Sequence, residues 1–121
     1  MITFEDNVNR LIGLPYDAYK AHCWHLVEEL IPTAPKLEGT AKSLTASVRH
    51  FESELHKHTL TEVKDENYKD RDIVILGRNN IYFHAGVYYD GGVIHASREG
   101  VVYQSMSSIK LLYTNIQGLR T

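Results

Sequence analysis

The sequence contains a single cysteine, Cys23, so no disulfide bond can form within the chain. No stretch approaches the roughly 18 apolar residues of a membrane-spanning helix, and the N-terminus, MITFEDNVNR, lacks the basic and apolar regions of a secretory signal. Lysine and arginine are scattered, and the net charge of −2 provides no basic stripe for a nucleic acid. These absences predict a soluble protein, made in the cytoplasm, that binds no nucleic acid and spans no membrane.

The composition predicts one compact domain over residues 1–121. Hydrophobic residues make up 43% of the sequence and charged residues 23%, which is typical of a globular fold. A chain of this length buries roughly two thirds of the surface that its unfolded form exposes. Its core is therefore large enough to be stable without disulfides.

Three helices are predicted in the first half of the chain. Thr3 and Asp6 have the spacing of a capping box before a short helix at about residues 4–12. Apolar residues at helical spacing predict a second helix at about 22–31 and an amphipathic third helix at about 41–57. The polar segment 64–72 that follows is predicted to be a surface loop.

The second half has the pattern of an antiparallel sheet. Five runs rich in β-branched and aromatic residues predict strands: DIVILG, IYFHAGVYY, VIHAS, GVVYQ and IKLLY. Asp90, Gly91 and Gly92 separate two of these runs and indicate a tight hairpin. Helices followed by a meander predict an α+β fold, with the N-terminal helices packed on one face of the sheet.

Cys23 falls in the first turn of the second predicted helix. Free backbone N–H groups and the positive end of the helix dipole favour an anion at this position. A thiol there can have a lowered pKa and act as a nucleophile. The alternative interpretation is an inert, buried cysteine, since free cysteines are among the most buried residues.

Two histidines are predicted to project from one face of the hairpin. In an extended strand, His84, Gly86 and Tyr88 share a face, so Tyr88 is a candidate for lining a cleft beside His84. If Asp90 and Gly91 form a two-residue loop, His95 pairs opposite Gly86 and lies diagonal to His84, at roughly 7–8 Å between backbones. One imidazole can then accept the thiol proton, while the second orients the first.

Three stretches, IGLPYDAYKAHCWHLVEEL, DRDIVIL and HAGVYYDGGVIHAS, occur in the order found in a known family. They resemble the NlpC-type cysteine peptidases of the papain-like fold, particularly those in bacteriophage tail proteins. The resemblance covers about residues 8–104, and the third stretch is its most specific part. It implies that Cys23 is the nucleophile, His84 the general base and His95 the orienting third residue.

The resemblance also implies a substrate and a location. Similar proteins hydrolyse peptide bonds in the peptidoglycan stem, and phage members belong to the tail tip, where they degrade the cell wall. This chain would then be made in the host cytoplasm and assembled into the virion with other tail proteins. Tyr16 matches a family tyrosine that binds substrate, and His22 occupies the position of a substrate-binding acidic residue. The resemblance implies no cofactor.

Two alternatives to a peptidoglycan hydrolase remain open. His22 replaces the family's acidic residue before the nucleophile, and His25 replaces a small residue two places after it. These departures favour a structural or assembly component of a phage tail tip, with a weakened catalytic site. Cys23, His84 and His95 would also form a usable zinc ligand set, but no carboxylate or second cysteine lies at a recognised ligand spacing, so the leading hypothesis includes no metal.

Overall fold

The computed structural model describes residues 3–14, 23–34, 60–97 and 99–121, without the side chains of Cys23, His25 and Asp65. Over these ranges the fold is α+β, with one six-stranded antiparallel sheet and helices packed on it. The predicted helix at 41–57 lies outside the described residues. No helix in the described ranges is long and apolar enough to cross a membrane.

The helices and strands follow one another in this order: α1 (Phe4–Leu11), α2 (Cys23–Leu30), β1 (Thr61–Val63), a 3₁₀ turn (Asp65–Asn67), β2 (Ile73–Arg78), β3 (Ile81–Tyr89), β4 (Gly92–Ser97), β5 (Gly100–Ser105), α3 (Met106–Leu112) and β6 (Asn115–Arg120). Helices α1 and α2 agree with the predicted helices to within one residue at each end.

The predicted capping box at the start of α1 is confirmed. The Thr3 side chain accepts a hydrogen bond from the Asp6 backbone N–H, and the Asp6 carboxylate accepts one from the Thr3 N–H. These contacts pair backbone donors that the first turn of a helix leaves without intrahelical partners. On the inner side of α1, Val8 and Leu11 are buried.

The sheet has the strand order β1-β6-β2-β3-β4-β5, and every neighbouring pair is antiparallel. Strands β2 to β5 form the predicted meander. Strand β6 then returns across the sheet and inserts between β1 and β2. The C-terminal strand therefore lies inside the sheet rather than at its edge.

The predicted β3–β4 hairpin is confirmed, including its register. Asp90 and Gly91 have φ values of 45° and 78°, as the two central residues of a tight hairpin turn require. Tyr89 pairs with Gly92, and His95 pairs with Gly86. His95 is therefore diagonal to His84 on one face of the sheet.

Helices cover the two faces of the sheet. Both N-terminal helices lie on one face, as predicted, with Trp24, Leu26 and Val27 of α2 packed against a cluster that includes Ala85 and Ile94. A smaller cluster lies on the opposite face, where the buried residues are Val74, Leu76, Val93 and Ile109. Helix α3 contributes Ile109 to this second cluster, so it covers the face opposite α1 and α2.

The prediction that IKLLY forms a strand is wrong, because these residues belong largely to α3. The Ser105 side chain caps the helix by accepting a hydrogen bond from the Ser108 N–H. Ile109 is buried, whereas Leu111 and Leu112 are exposed. The apolar run suggested a buried strand, but only one side of it packs on the sheet.

The predicted surface loop at 64–72 ends in a buried carboxylate. The Asp72 side chain is 3% exposed and accepts hydrogen bonds from Nε and Nη2 of Arg120, at 2.7 and 2.8 Å. It also accepts a hydrogen bond from the Lys69 backbone N–H at 2.8 Å. Asp72 therefore ties the loop before β2 to the end of β6.

Candidate functional site

His84 and His95 are in direct contact on the face of the sheet that α3 covers. His84 Nε2 lies 2.9 Å from His95 Nδ1, and the two rings meet nearly edge to face. The predicted proximity of the two histidines is therefore confirmed. Their catalytic roles remain predictions.

A β-bulge next to His84 directs its side chain toward Tyr113. Leu76 pairs with His84 but Gly77 pairs with Tyr82, so Phe83 is an extra residue in β3. Such bulges bend a strand and redirect its side chains. Both Phe83 and His84 consequently reach the ring of Tyr113, and His84 stacks on that ring at 6.0 Å between centroids.

Gln104 extends the histidine pair into a chain of three side chains. Its Oε1 lies 2.6 Å from His95 Nε2. Gln104 is on β5, where Val102 pairs with His95, so the two side chains share a face and meet diagonally. Sequence reasoning missed Gln104; the available signal was the polar residue that ends the run GVVYQ.

The two hydrogen bonds that link His84, His95 and Gln104 define which ring nitrogens carry protons. An amide oxygen can only accept, so His95 Nε2 donates to Gln104. In a neutral imidazole the other nitrogen is then an acceptor, and His95 Nδ1 accepts from His84 Nε2–H. In this arrangement His84 Nδ1 carries the lone pair that a general base requires.

Burial keeps His95 in its neutral form. The residue is 3% exposed, and this burial lowers the pKa of His95 below its ordinary value of 6.5, while the hydrogen bond to Gln104 partly opposes the shift. At neutral pH, His95 is therefore an uncharged acceptor for His84.

Gly86 allows β4 to approach β3 closely beside the histidines. A Cβ atom added at Gly86 would lie 2.5 Å from Cγ1 of Val93, 2.6 Å from the Ile94 carbonyl oxygen and 3.0 Å from Cβ of His95. The absence of a side chain at Gly86 therefore lets β4 lie directly against β3 at this point.

We expect Gly86→Ala to destabilise the fold by about 1–3 kcal/mol, the usual cost of overpacking a dense site. The added methyl group must displace the backbone at Ile94 and the adjoining His95. Denaturant-induced unfolding measures the effect, and NMR of the histidine rings reports whether the contact with His84 is lost. Unchanged stability and an intact histidine contact would contradict this packing.

Helix α2, which begins at Cys23, packs chiefly on β3 and to a smaller extent on β4. Its buried side chains contact the face that carries Ala85 and Ile94, whereas His84 and His95 project from the other face. The β3–β4 register ends at Gly86 and His95, although β4 remains paired with β5 as far as Ser97. The backbone pairing of β3 with β4 therefore ends next to His84.

The contacts just after α2 show how the helix is oriented relative to β3. Thr33, just after the helix, hydrogen-bonds Thr121, which follows β6. At that end of the sheet, Leu119 of β6 pairs with Ile73, and Ile73 pairs with Val87 of β3. The C-terminal end of α2 therefore lies near Val87. Since α2 packs mainly on β3, its N-terminal end lies toward His84.

The remaining predicted site residues are placed as follows. Tyr88 shares the face of His84 and packs against Tyr68, with 5.2 Å between ring centroids. Tyr16, His22 and the Cys23 side chain lie outside the described part of the structure. Among the residues described, no group of three or more histidine, cysteine, aspartate or glutamate side chains is placed to hold a metal ion.

A cavity of about 620 Å³ opens beside the stacked ring of Tyr113. Its lining combines aromatic rings, including Tyr68 and Tyr82, with charged side chains that include Glu62 and Lys110. The Tyr113 ring thus contacts both this cavity and His84.

The sequence matches no model of a protein family, and no curated protein is significantly similar to it.

Proposed function

We propose that this protein is an NlpC-type cysteine hydrolase that cleaves amide bonds in peptidoglycan stem peptides. The observation that carries the proposal is the hydrogen-bonded chain His84–His95–Gln104. Hydrolases activate a nucleophile with a base that is oriented by a second polar group. The hydrogen bonds of that second group define where the base carries its proton. The papain-like fold and the choice of substrate rest on the sequence resemblance.

In the proposed reaction, the Cys23 thiol transfers its proton to His84 Nδ1, and the thiolate attacks the carbonyl carbon of the substrate. The C–N bond then breaks, and the departing amine takes the proton from His84. Water, deprotonated by the same imidazole, attacks the thioester, which releases the acid and restores the thiol. His95 accepts the Nε2–H of His84 throughout, which favours the imidazolium that forms in each step.

The position of Cys23 at the start of α2 supports this role. Backbone N–H groups in the first turn of a helix lack intrahelical acceptors and can donate to an oxyanion. The N-terminal end of the helix lies toward the His84 end of β3, where the pairing of β3 with β4 ends. An opening between these two strands would let the nucleophile and the base meet across the sheet.

The virion location and the partners are part of the same proposal. Assembly into a phage tail tip with other tail proteins, after synthesis in the host cytoplasm, rests on the resemblance alone. Tyr16 and His22 are proposed to bind the stem peptide, with Tyr88 on the face of His84.

Alkylation of the purified protein by iodoacetamide tests the activation of Cys23. At neutral pH we expect fast modification, slowed at least tenfold in His84→Ala because the base that removes the thiol proton is lost. His56→Ala, in the segment predicted as the amphipathic third helix, is the matched control and should react like the wild type. A thiol that reacts only after denaturation would contradict the proposal.

A structural component of a phage tail with a weakened site is the second candidate. One observation favours it: the buried side chains of α2 face Ala85 and Ile94, away from the face of the two histidines. This candidate predicts that phage particles carrying Cys23→Ala assemble and infect normally. A defect in wall degradation by otherwise complete particles would exclude it.

A further inference from the structure

We propose that Gln104 is a positioning residue that fixes the proton arrangement of the His84–His95 pair. Its effect on catalysis rests on the function proposed above, whereas its effect on the two rings is independent of any activity. Gln104 acts through His95, the side chain that its Oε1 contacts.

The geometry gives Gln104 this role. It is half-buried on β5, and its Oε1 is 2.6 Å from Nε2 of a histidine that is only 3% exposed. Because the amide oxygen accepts only, the proton of neutral His95 is held at Nε2. His95 Nδ1 is therefore held as an acceptor that faces His84 Nε2.

Loss of the Gln104 acceptor reverses this arrangement. A buried N–H without an acceptor is unfavourable, so His95 would move its proton from Nε2 to Nδ1. Nδ1–H would then donate to His84 Nε2, and neutral His84 would carry its own proton at Nδ1. His84 could no longer accept the thiol proton at that atom.

The hydrogen bond with Gln104 is the side-chain contact that shifts the pKa of His95. In the described part of the chain, the titratable side chains on the face of His95 include His84 and Tyr88 of β3 and Tyr113 after α3, with Tyr68 and Arg78 packed on these tyrosines. The causes that shift the pKa of His95 are burial, which lowers it, and the hydrogen bond that His95 donates to Gln104, which raises it. Replacing the neutral amide by a carboxylate should therefore change the charge of His95 directly.

NMR of ¹⁵N-labelled protein tests the inference through two-bond ¹H–¹⁵N couplings of the histidine rings. In the wild type we expect the Nε2–H form of His95. Gln104→Leu should convert His95 to the Nδ1–H form, and Gln104→Glu should keep Nε2–H but raise the pKa of His95. If the leucine variant does not fold, Gln104→Met replaces it. Retention of Nε2–H in the folded apolar variant would overturn the proposal.

Kinetics of the full chain separate this inference from the proposed function. We expect Gln104→Leu to lower kcat roughly 10²-fold at nearly unchanged KM, and Gln104→Glu to restore most activity with the acid limb of the pH profile moved upward. Unchanged kcat in the leucine variant would contradict a positioning role. If Gln104→Leu changes the His95 tautomer while the wild type shows no hydrolase activity, the hydrolase is refuted but the control of the rings by Gln104 is supported.

Discussion

Replacing His84 by alanine should reduce the rate of peptide hydrolysis by roughly 10²–10⁴-fold, the usual contribution of a positioned general base. The imidazole would take the thiol proton at Nδ1 while His95 holds its Nε2–H. In the proposed mechanism His84 acts on the reacting atoms, so the loss should appear in kcat. Steady-state kinetics with a purified stem peptide measure it.

His56→Ala serves as the matched control, since it also removes one imidazole but from a segment that the sequence places outside the site. It should retain wild-type kinetics. Circular dichroism and thermal unfolding of the His84 variant establish that the fold is preserved. A folded His84→Ala protein with wild-type kcat would contradict the assignment of the base.

Asp72→Ala should destabilise the fold by about 3 kcal/mol, at the lower end of the range for breaking a buried ion pair. The carboxylate is almost fully buried and accepts hydrogen bonds from the Arg120 side chain and the Lys69 backbone. The Arg120 side chain remains 39% exposed, so water can hydrate it after the substitution. Denaturant-induced unfolding measures the change in the free energy of unfolding.

Glu29→Ala is the comparison for Asp72. Glu29 also pairs with an arginine, Arg10, at 2.7 Å, but the two side chains are 52% and 50% exposed. Exposed pairs contribute at most about 1 kcal/mol, so this variant should unfold close to the wild type. Equal effects of the two substitutions would show that the burial of Asp72 does not strengthen its contribution.

Features specified by neighbouring residues were predictable from the sequence. The capping box of α1 depends on Thr3 and Asp6, three residues apart. The β3–β4 register follows from the turn residues Asp90 and Gly91, and because side chains alternate along a strand, it also brings His84 and His95 to one face. Residues close together in the sequence therefore determine that the two histidines lie near each other.

Features that depend on distant packing were not predictable in the same way. Whether IKLLY forms a helix or a strand depends on how much of it is buried, and only Ile109 is. The insertion of β6 between β1 and β2 joins segments far apart in the chain. The insertion brings Arg120 of β6 next to Asp72. The sequence of the 64–72 loop alone therefore did not predict this ion pair.

Part of the site escaped prediction for the same reason. The bulge at Phe83 appears only when β3 is aligned with β2, and the contact of Gln104 requires the β4–β5 register. Neither alignment can be read from β3 alone. The sequence therefore predicted the histidine pair but not the residues that orient it.

Digestion of purified peptidoglycan by wild type and Cys23→Ala, followed by mass analysis of the released fragments, tests the central claim most directly. We predict that the wild type releases fragments with new termini within the stem peptide and that a folded Cys23→Ala protein releases none. Equal release by both proteins, or intact peptidoglycan with the wild type, would contradict a hydrolase that uses Cys23 as its nucleophile.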